Sequence, residues 1–275
     1  MPVMISEARA ARMYEGECMQ SRASGRARPS RERNRQKHIA PSRACTHKLR
    51  SNGSKLLRVR FAPKATFHHS RRMSVRVSNG LMRSQHAIFP AQIQDAKAAV
   101  RWLRGHAAEY RLDPNRFAAW GASAGGHLVS LLGAAPKVKE FDVGENLDVS
   151  SKVQAVVDYY GPVDFPNLPE KALAAASGVA QLIGGSIRDN PDKARRASPI
   201  AYISKDTPPF LIVHGDHDTA VDYHQSVLME AALKKFGVPV IFYTVKGGGH
   251  GLFTDPQVPE VTQRFLADHI HPASN

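Results

Sequence analysis

Cysteine is almost absent: Cys18 and Cys45 are the only two in 275 residues. They match no zinc-ligand spacing and are too few for a disulfide framework. No apolar run reaches the length of a membrane helix, so no transmembrane span is expected. The N-terminus lacks the apolar core of a secretory signal, which leaves a cytoplasmic protein as the default expectation. There is no H-E-x-x-H, no Cys/His cluster and no acidic metal loop. Gly247-Gly248-Gly249 lacks the lysine-and-hydroxyl ending of a phosphate cradle. Neither a metal nor an organic cofactor is therefore expected.

Acidic residues are scarce in one part only. Residues 1–83 carry 4 Asp and Glu against 20 Lys and Arg, a net of +16, whereas residues 84–275 carry 20 against 18, a net of −2. The overall charge of +14 belongs to the first third. That segment also lacks helical or strand periodicity over most of its length, as in Ser21 to Lys37. Such a composition buries too little apolar surface to offset the entropy of ordering, so disorder or a non-native segment is expected. Two short alternations, Leu57 to Phe61 and Met73 to Val77, could each be a strand with one wet face. Neither suits a parallel sheet covered on both faces, because arginines would point into the cover. A basic arm for nucleic acid is the alternative, weakened by the lack of interleaved aromatics for stacking.

From about Ser84 the pattern becomes regular. Ala91 to Tyr110 reads as a helix with Ile93, Ala96, Val100, Leu103 and Ala107 on one face. Arg116 to Trp120, Val153 to Tyr159, Phe210 to His214 and Pro239 to Val245 read as strands. Tyr223 to Phe236 reads as an amphipathic helix on Val227, Leu228, Ala231 and Leu233, stopped by Gly237. Val258 to Ile270 reads as a closing helix, and the stretch from about 166 to 200 as a cap of helices and loops, Ala172 to Ile183 among them. Strands alternating with helices predict an α/β fold: a doubly wound, mostly parallel sheet over residues 84–275.

Gly121-Ala122-Ser123-Ala124-Gly125 is a G-x-S-x-G element between a strand and a helix. In that setting a serine sits on a sharp turn with its hydroxyl exposed. Glycines at 121 and 125 are expected to keep the turn free of side-chain collisions. In such a sheet, chemistry collects on loops at the carboxyl ends of the strands. Asp216, Asp218 and Asp222 follow one such strand, and His250, bracketed by glycines, follows the last. Ser123, Asp218 and His250 are separated by 95 and then 32 residues. An imidazole of near-neutral pKa can take the serine proton and return it to a leaving group, if a carboxylate fixes its tautomer. Asp218 is the preferred acid, since it lies several residues past the strand, where the loop can reach under His250. Asp216 is expected to brace the turn through its backbone. His127 is expected to pack or hydrogen-bond locally, and His214 to support the loop.

Four segments together resemble the α/β-hydrolase superfamily, in its esterase/lipase branch of carboxylesterases and bifunctional feruloyl and acetyl-xylan esterases. They are Phe89-Pro90-Ala91-Gln92-Ile93 with Trp102-Leu103-Arg104, Trp120 through His127, Tyr160-Gly161-Pro162 with Asp164, and Pro208 through Asp216 with Asp218. The resemblance covers residues 88–275. It implies Ser123 as the acylated nucleophile, Asp218 as the acid, His250 as the base and the backbone N–H of Ala124 as an oxyanion donor. It implies a small ester or acylated carbohydrate as substrate, with an acetyl or feruloyl group among the possibilities. A serine peptidase or amidase of the same fold is the alternative within enzymes, because the fold does not fix the leaving group.

The departure from that family lies upstream. Its members carry a His-Gly-Gly-type loop that supplies further oxyanion N–H groups. Before residue 89 this chain has only Gly16, Gly25, Gly53 and Gly80, none adjacent to another glycine or to histidine. The two strands that should flank the nucleophile strand are also not visible, which predicts an unpaired edge in mid-sheet. An altered reading frame or wrong start upstream of about residue 84 would produce such a break, and an inactive hydrolase remnant is one expectation that follows. The oligomeric state has no signature in the sequence.

Overall fold

The computed structural model describes residues 3–7, 46–50, 56–63 and 73–78 as backbone strands, and then residues 87–170, 177–251 and 253–270. Cys18, Cys45, the arginine-rich stretch 21–37 and the start of the predicted 172–183 helix lie outside the described residues.

The main sheet has five parallel strands: β1 (Val3–Glu7), β5 (Phe117–Ala122), β6 (Ala155–Tyr159), β7 (Phe210–Gly215) and β8 (Val240–Val245), adjacent in that order. A separate antiparallel sheet contains β2 (Thr46–Arg50), β3 (Leu56–Pro63) and β4 (Met73–Ser78). The helices are α1 (Ala91–Gly105), α2 (Ala124–Ala134), α3 (Gly178–Ile183), α4 (Pro191–Ala197), α5 (His224–Lys235) and α6 (Gln257–Ile270). The predicted doubly wound, mostly parallel architecture is the observed one.

Period-two side chains divide the sheet's burial between two faces. Phe117, Ala119, Val156, Phe210 and Ile212 enter one core, with α1, α2 and α5. Ala118, Ala155, Val157, Leu211 and Val213 enter the other, closed by Val258, Phe265, Leu266 and Ile270 of α6. This is why β6 and β7 read as mostly apolar runs rather than alternations, with Asp158 and His214 as their polar exceptions: both of their faces are covered.

The N-terminal strands correct one expectation. The β5 edge is not bare, because β1 pairs along it in parallel from Val3 opposite Phe117 to Glu7 opposite Gly121. Five residues set in arginine-rich text are too short to stand out as a periodic strand. The two alternations at 57–61 and 73–77 fall inside β3 and β4, in the antiparallel sheet and not the parallel one.

Two helices differ from their predicted faces. α1 ends at Gly105 and buries Lys97 and Arg101 among its apolar residues. Lys97 reaches the Val138 carbonyl at 3.0 Å and Asp142 at 2.8 Å, and Arg101 shares Asp142 at 3.0 Å. These cations fasten the segment after α2, and their burial is tolerated because each is paired and hydrogen-bonded. α5 buries Gln225, Ser226, Met229 and Leu233, while Ala231 is exposed. The true inner face is rotated toward two polar residues that an apolar count cannot find. Gly237, predicted to stop this helix, has φ +69, and its N–H donates to the Lys234 carbonyl.

Candidate active site

β5 ends in the turn that carries Ser123. Its backbone has φ 57 and ψ −120, a conformation strained for a residue with a side chain. Strain of this kind costs on the order of 1–3 kcal/mol and persists only where the surroundings enforce it. Here the Ser123 N–H donates to the Tyr159 carbonyl at 2.8 Å, and its carbonyl accepts from the His127 N–H at 3.0 Å. Ser123 occupies the N-cap of α2, yet its side chain makes no capping bond, so Oγ is left for other partners.

The turn is tight at Gly121, as the sequence suggested. A Cβ on Gly121 would lie 2.1 Å from the Gly125 carbonyl oxygen. The second close approach is at Gly126, where a Cβ would lie 2.3 Å from Asp158 Oδ1 and 2.9 Å from the Gly161 backbone. Helix α2 thus rests directly on the segment that follows β6.

His250 and Asp218 come from the loops after β8 and β7. The Asp216 Oδ1 accepts from the Gly247 N–H at 2.6 Å, and the His217 N–H donates to the Gly248 carbonyl at 2.9 Å. The two loops are therefore bound to each other, with Asp216 bracing the turn through its side chain. Asp222 accepts from the His224 N–H at the start of α5. Asp218 is the carboxylate that meets the imidazole: His250 Nδ1 is 2.8 Å from Asp218 Oδ2, and His250 Nε2 is 3.0 Å from Ser123 Oγ. The structure thus brings Ser123, His250 and Asp218 into one hydrogen-bonded chain. The edge of the Tyr160 ring packs on His250, with centroids 4.7 Å apart. Ala124 opens α2, directly after Ser123, so its N–H has no acceptor within the helix.

The Asp218 side chain is fully covered. Burial pushes its pKa up, but the Val221 N–H, His250 and the Ala220 N–H outweigh that and hold it below the ordinary carboxylate value. Oδ1 accepts from the Ala220 and Val221 N–H groups at 2.8 and 2.9 Å. Oδ2 is shared by His250 and by His214 Nε2, the latter at 3.2 Å.

Behind the site lie His214, expected from the sequence to support the loop, and several buried polar groups that the sequence did not single out. His214 has burial as the main influence on its pKa, which is lowered, so the ring is neutral near pH 7. Ser226 lies 2.7 Å from its Nδ1. Gln225 Oε1 accepts from the Val163 and Asp164 N–H groups at 2.9 and 2.8 Å, which ties the loop after β6 to α5. Asp158 accepts from Ser130 Oγ and from the Gly161 N–H, both at 2.8 Å. Polar residues inside otherwise apolar strands and helix faces were the available signal. His127 does not bond locally: it stacks on Phe165 and bonds the Ala197 carbonyl at 2.7 Å, and burial lowers its pKa to about 4. Among the described residues no cluster of His, Cys, Asp or Glu is large enough to hold a metal ion, and no helix is long and apolar enough to cross a membrane.

The family model described as BD-FAE matches residues 75–233, more than half of the chain. Esterase LipQ of Mycobacterium tuberculosis is 32% identical over 196 residues, spanning 70% of this chain and 46% of LipQ. A solved structure of a truncated carbohydrate esterase from gut microbiota is 36% identical, with a TM-score of 0.65, over 71% of this chain and 73% of that one. Thermogutta terrifontis esterase 2 superposes with a TM-score of 0.64 at 21% identity, over 84% of this chain and 97% of that one, a likeness of fold. The chain spans less than half the length of the curated relatives it matches.

Proposed function

Since this chain belongs to the BD-FAE family, with the α/β-hydrolase fold, we propose that it hydrolyses carboxylic esters through an acyl-enzyme on Ser123. The observation that carries this reading is the continuous path from Asp218 through His250 to Ser123, with links of 2.8 and 3.0 Å.

In this reading the Ser123 Oγ–H proton passes to His250 Nε2 as Oγ bonds to the ester carbonyl carbon. Asp218 keeps the Nδ1–H tautomer and stabilises the imidazolium. The oxygen that gains charge faces the Ala124 N–H at the positive end of α2. As the tetrahedral centre collapses, the C–O bond to the alcohol breaks and His250 returns the proton to it. A water molecule then gives a proton to His250 and bonds to the acyl carbon; the C–Oγ bond breaks, His250 returns the proton to Oγ, and the acid leaves.

Acylated carbohydrate is the substrate class favoured by the likeness to the gut carbohydrate esterase, with acetyl and feruloyl esters as its two forms. Turnover of p-nitrophenyl acetate by the wild-type chain, and its loss in Ser123→Ala, is the expected result. Equal turnover by both proteins would overturn the assignment. Comparing acetylated and feruloylated xylan oligosaccharides separates the two acyl groups, and amino-acyl anilides separate amidase from esterase.

A second reading, a hydrolase framework without turnover, has one observation in its favour: no His-Gly-Gly segment precedes α1. Loss of one oxyanion donor costs roughly 10²–10³ in kcat. Phosphonylation of Ser123 without ester turnover would favour this second reading.

A further inference from the structure

The carboxylate that faces His250 has a second imidazole on the same oxygen. His214, the fifth residue of β7, places Nε2 3.2 Å from Asp218 Oδ2 and 3.2 Å from the Val221 carbonyl oxygen. Both neighbours only accept, so Nε2 carries the hydrogen. In a neutral ring Nδ1 is then an acceptor, and the Ser226 hydroxyl, 2.7 Å away, donates to it. His214 and Ser226 are both buried, as is Gln225 beside Ser226. The first turn of α5 therefore presents a polar pair inward, one residue holding the imidazole and the other holding the loop after β6.

We propose that His214 is a positioning residue for Asp218: held in its Nε2–H form by the Asp218 and Val221 acceptors, with Ser226 donating to Nδ1, it fixes the carboxylate and limits how strongly Asp218 holds the His250 proton. This rests on the esterase reading above. Asp218 takes four N–H donors, two from the backbone and two from imidazoles. The backbone pair fixes Oδ1. The shared oxygen Oδ2 would be free to swing about that anchor if His250 alone held it. His214 removes that freedom. It also draws charge density from Oδ2, and this weakens the field that stabilises the His250 imidazolium. A base that is too strongly held in its protonated form is a poor acceptor for the serine proton.

Other groups also face His214. The Tyr160 and Tyr223 rings pack against it with centroids 6.2 and 5.5 Å away, and His250 lies across the shared carboxylate. Neither tyrosine is the acceptor of the Nε2 hydrogen, and neither replaces it as a donor to Oδ2.

His214→Phe keeps a ring of similar shape and removes the hydrogen bond. His214→Gln returns an N–H donor at about the position of Nε2. The expected result is a fall in kcat of roughly tenfold to a hundredfold for His214→Phe, with KM nearly unchanged. The acid limb of its kcat/KM profile should move up by about 0.5–1 pH unit. His214→Gln should recover most of the rate and the wild-type limb, and Ser226→Ala should move the limb in the same direction as His214→Phe by less. Titration of the His250 ring by NMR reads the same shift without turnover. Folded His214→Phe protein with unchanged kcat, an unmoved limb and an unmoved His250 titration would overturn the proposal. So would equal losses in the Phe and Gln variants, which mark a purely structural role. An inactive wild-type chain in which the His250 titration still moves would overturn the esterase reading and leave this proposal standing.

Discussion

Asp158, near the end of β6, and Asp218, in the loop after β7, are both covered carboxylates close to Ser123, and they are held in opposite ways. Asp158 accepts two hydrogen bonds, from Ser130 and Gly161, and burial raises its pKa to about 6. Asp218 accepts four, and its pKa is lowered despite burial. Depth contributes as well: His217, Thr219 and Ala220 beside Asp218 are exposed, whereas Asp158 lies within a buried strand. Desolvation wins where donors are few and water is far, and loses where donors crowd a shallow carboxylate. The first arrangement supports the floor under the nucleophile helix. The second keeps a permanent charge beneath His250.

The largest test of this contrast is Asp218→Asn. It preserves shape but removes the charge that fixes the His250 tautomer, and kcat should fall roughly 10⁴-fold with the fold intact. A loss below tenfold, measured on p-nitrophenyl acetate, would show that the charge is not used.

Next comes Asp158, where the sign of the pH dependence separates the two sites. A folded-state pKa of about 6 against 3.8 for an ordinary aspartate means that the fold binds the proton more tightly than the unfolded chain. Stability should therefore decline as pH rises from about 4 to 6, by roughly 3 kcal/mol from this residue, and then level off. Asp218 acts with the opposite sign: its contribution is present above the unfolded carboxylate pKa and is lost as pH falls through its lower folded value. In Asp158→Asn the decline between pH 4 and 6 should flatten, as read by urea melts across that range. An unchanged slope would assign the decline to other groups.

Gly126→Ala should follow in size. Its Cβ has no room beside Asp158 Oδ1 and Gly161, and overpacking of this kind costs about 1–3 kcal/mol. Thermal melts should show the loss, with turnover falling as α2 shifts. Ser130→Ala is the mildest variant. It removes one of the two donors on Asp158, so the fall in stability should extend to higher pH, with little change in kcat.

Much of this arrangement was legible in the sequence. The strands β5 to β7 announced themselves because covered parallel strands are mostly apolar, and β8, at the sheet edge, because it is rich in β-branched and aromatic residues. Ser123, Asp218 and His250 were visible because their loops follow such strands, and glycines mark the places where backbones approach. What escaped notice has a common physical form. Gln225 and Ser226 lie on the buried face of α5, but they are polar, so apolar counting selected Val227, Leu228 and Ala231 instead. Lys97 and Arg101 are buried by carbonyls and Asp142 distant in sequence, which no local window contains. β1 pairs with a strand more than a hundred residues away, and its five residues carry no period long enough to detect.

In the proposed chemistry Ser123 is a nucleophile made reactive by His250. The most direct measurement is peptide mapping by mass spectrometry after treatment with a fluorophosphonate. One adduct is expected, on Ser123, in the wild-type chain, and it should disappear in His250→Ala. A folded wild-type protein that takes no label, or a label on Ser123 that persists undiminished in His250→Ala, would contradict it.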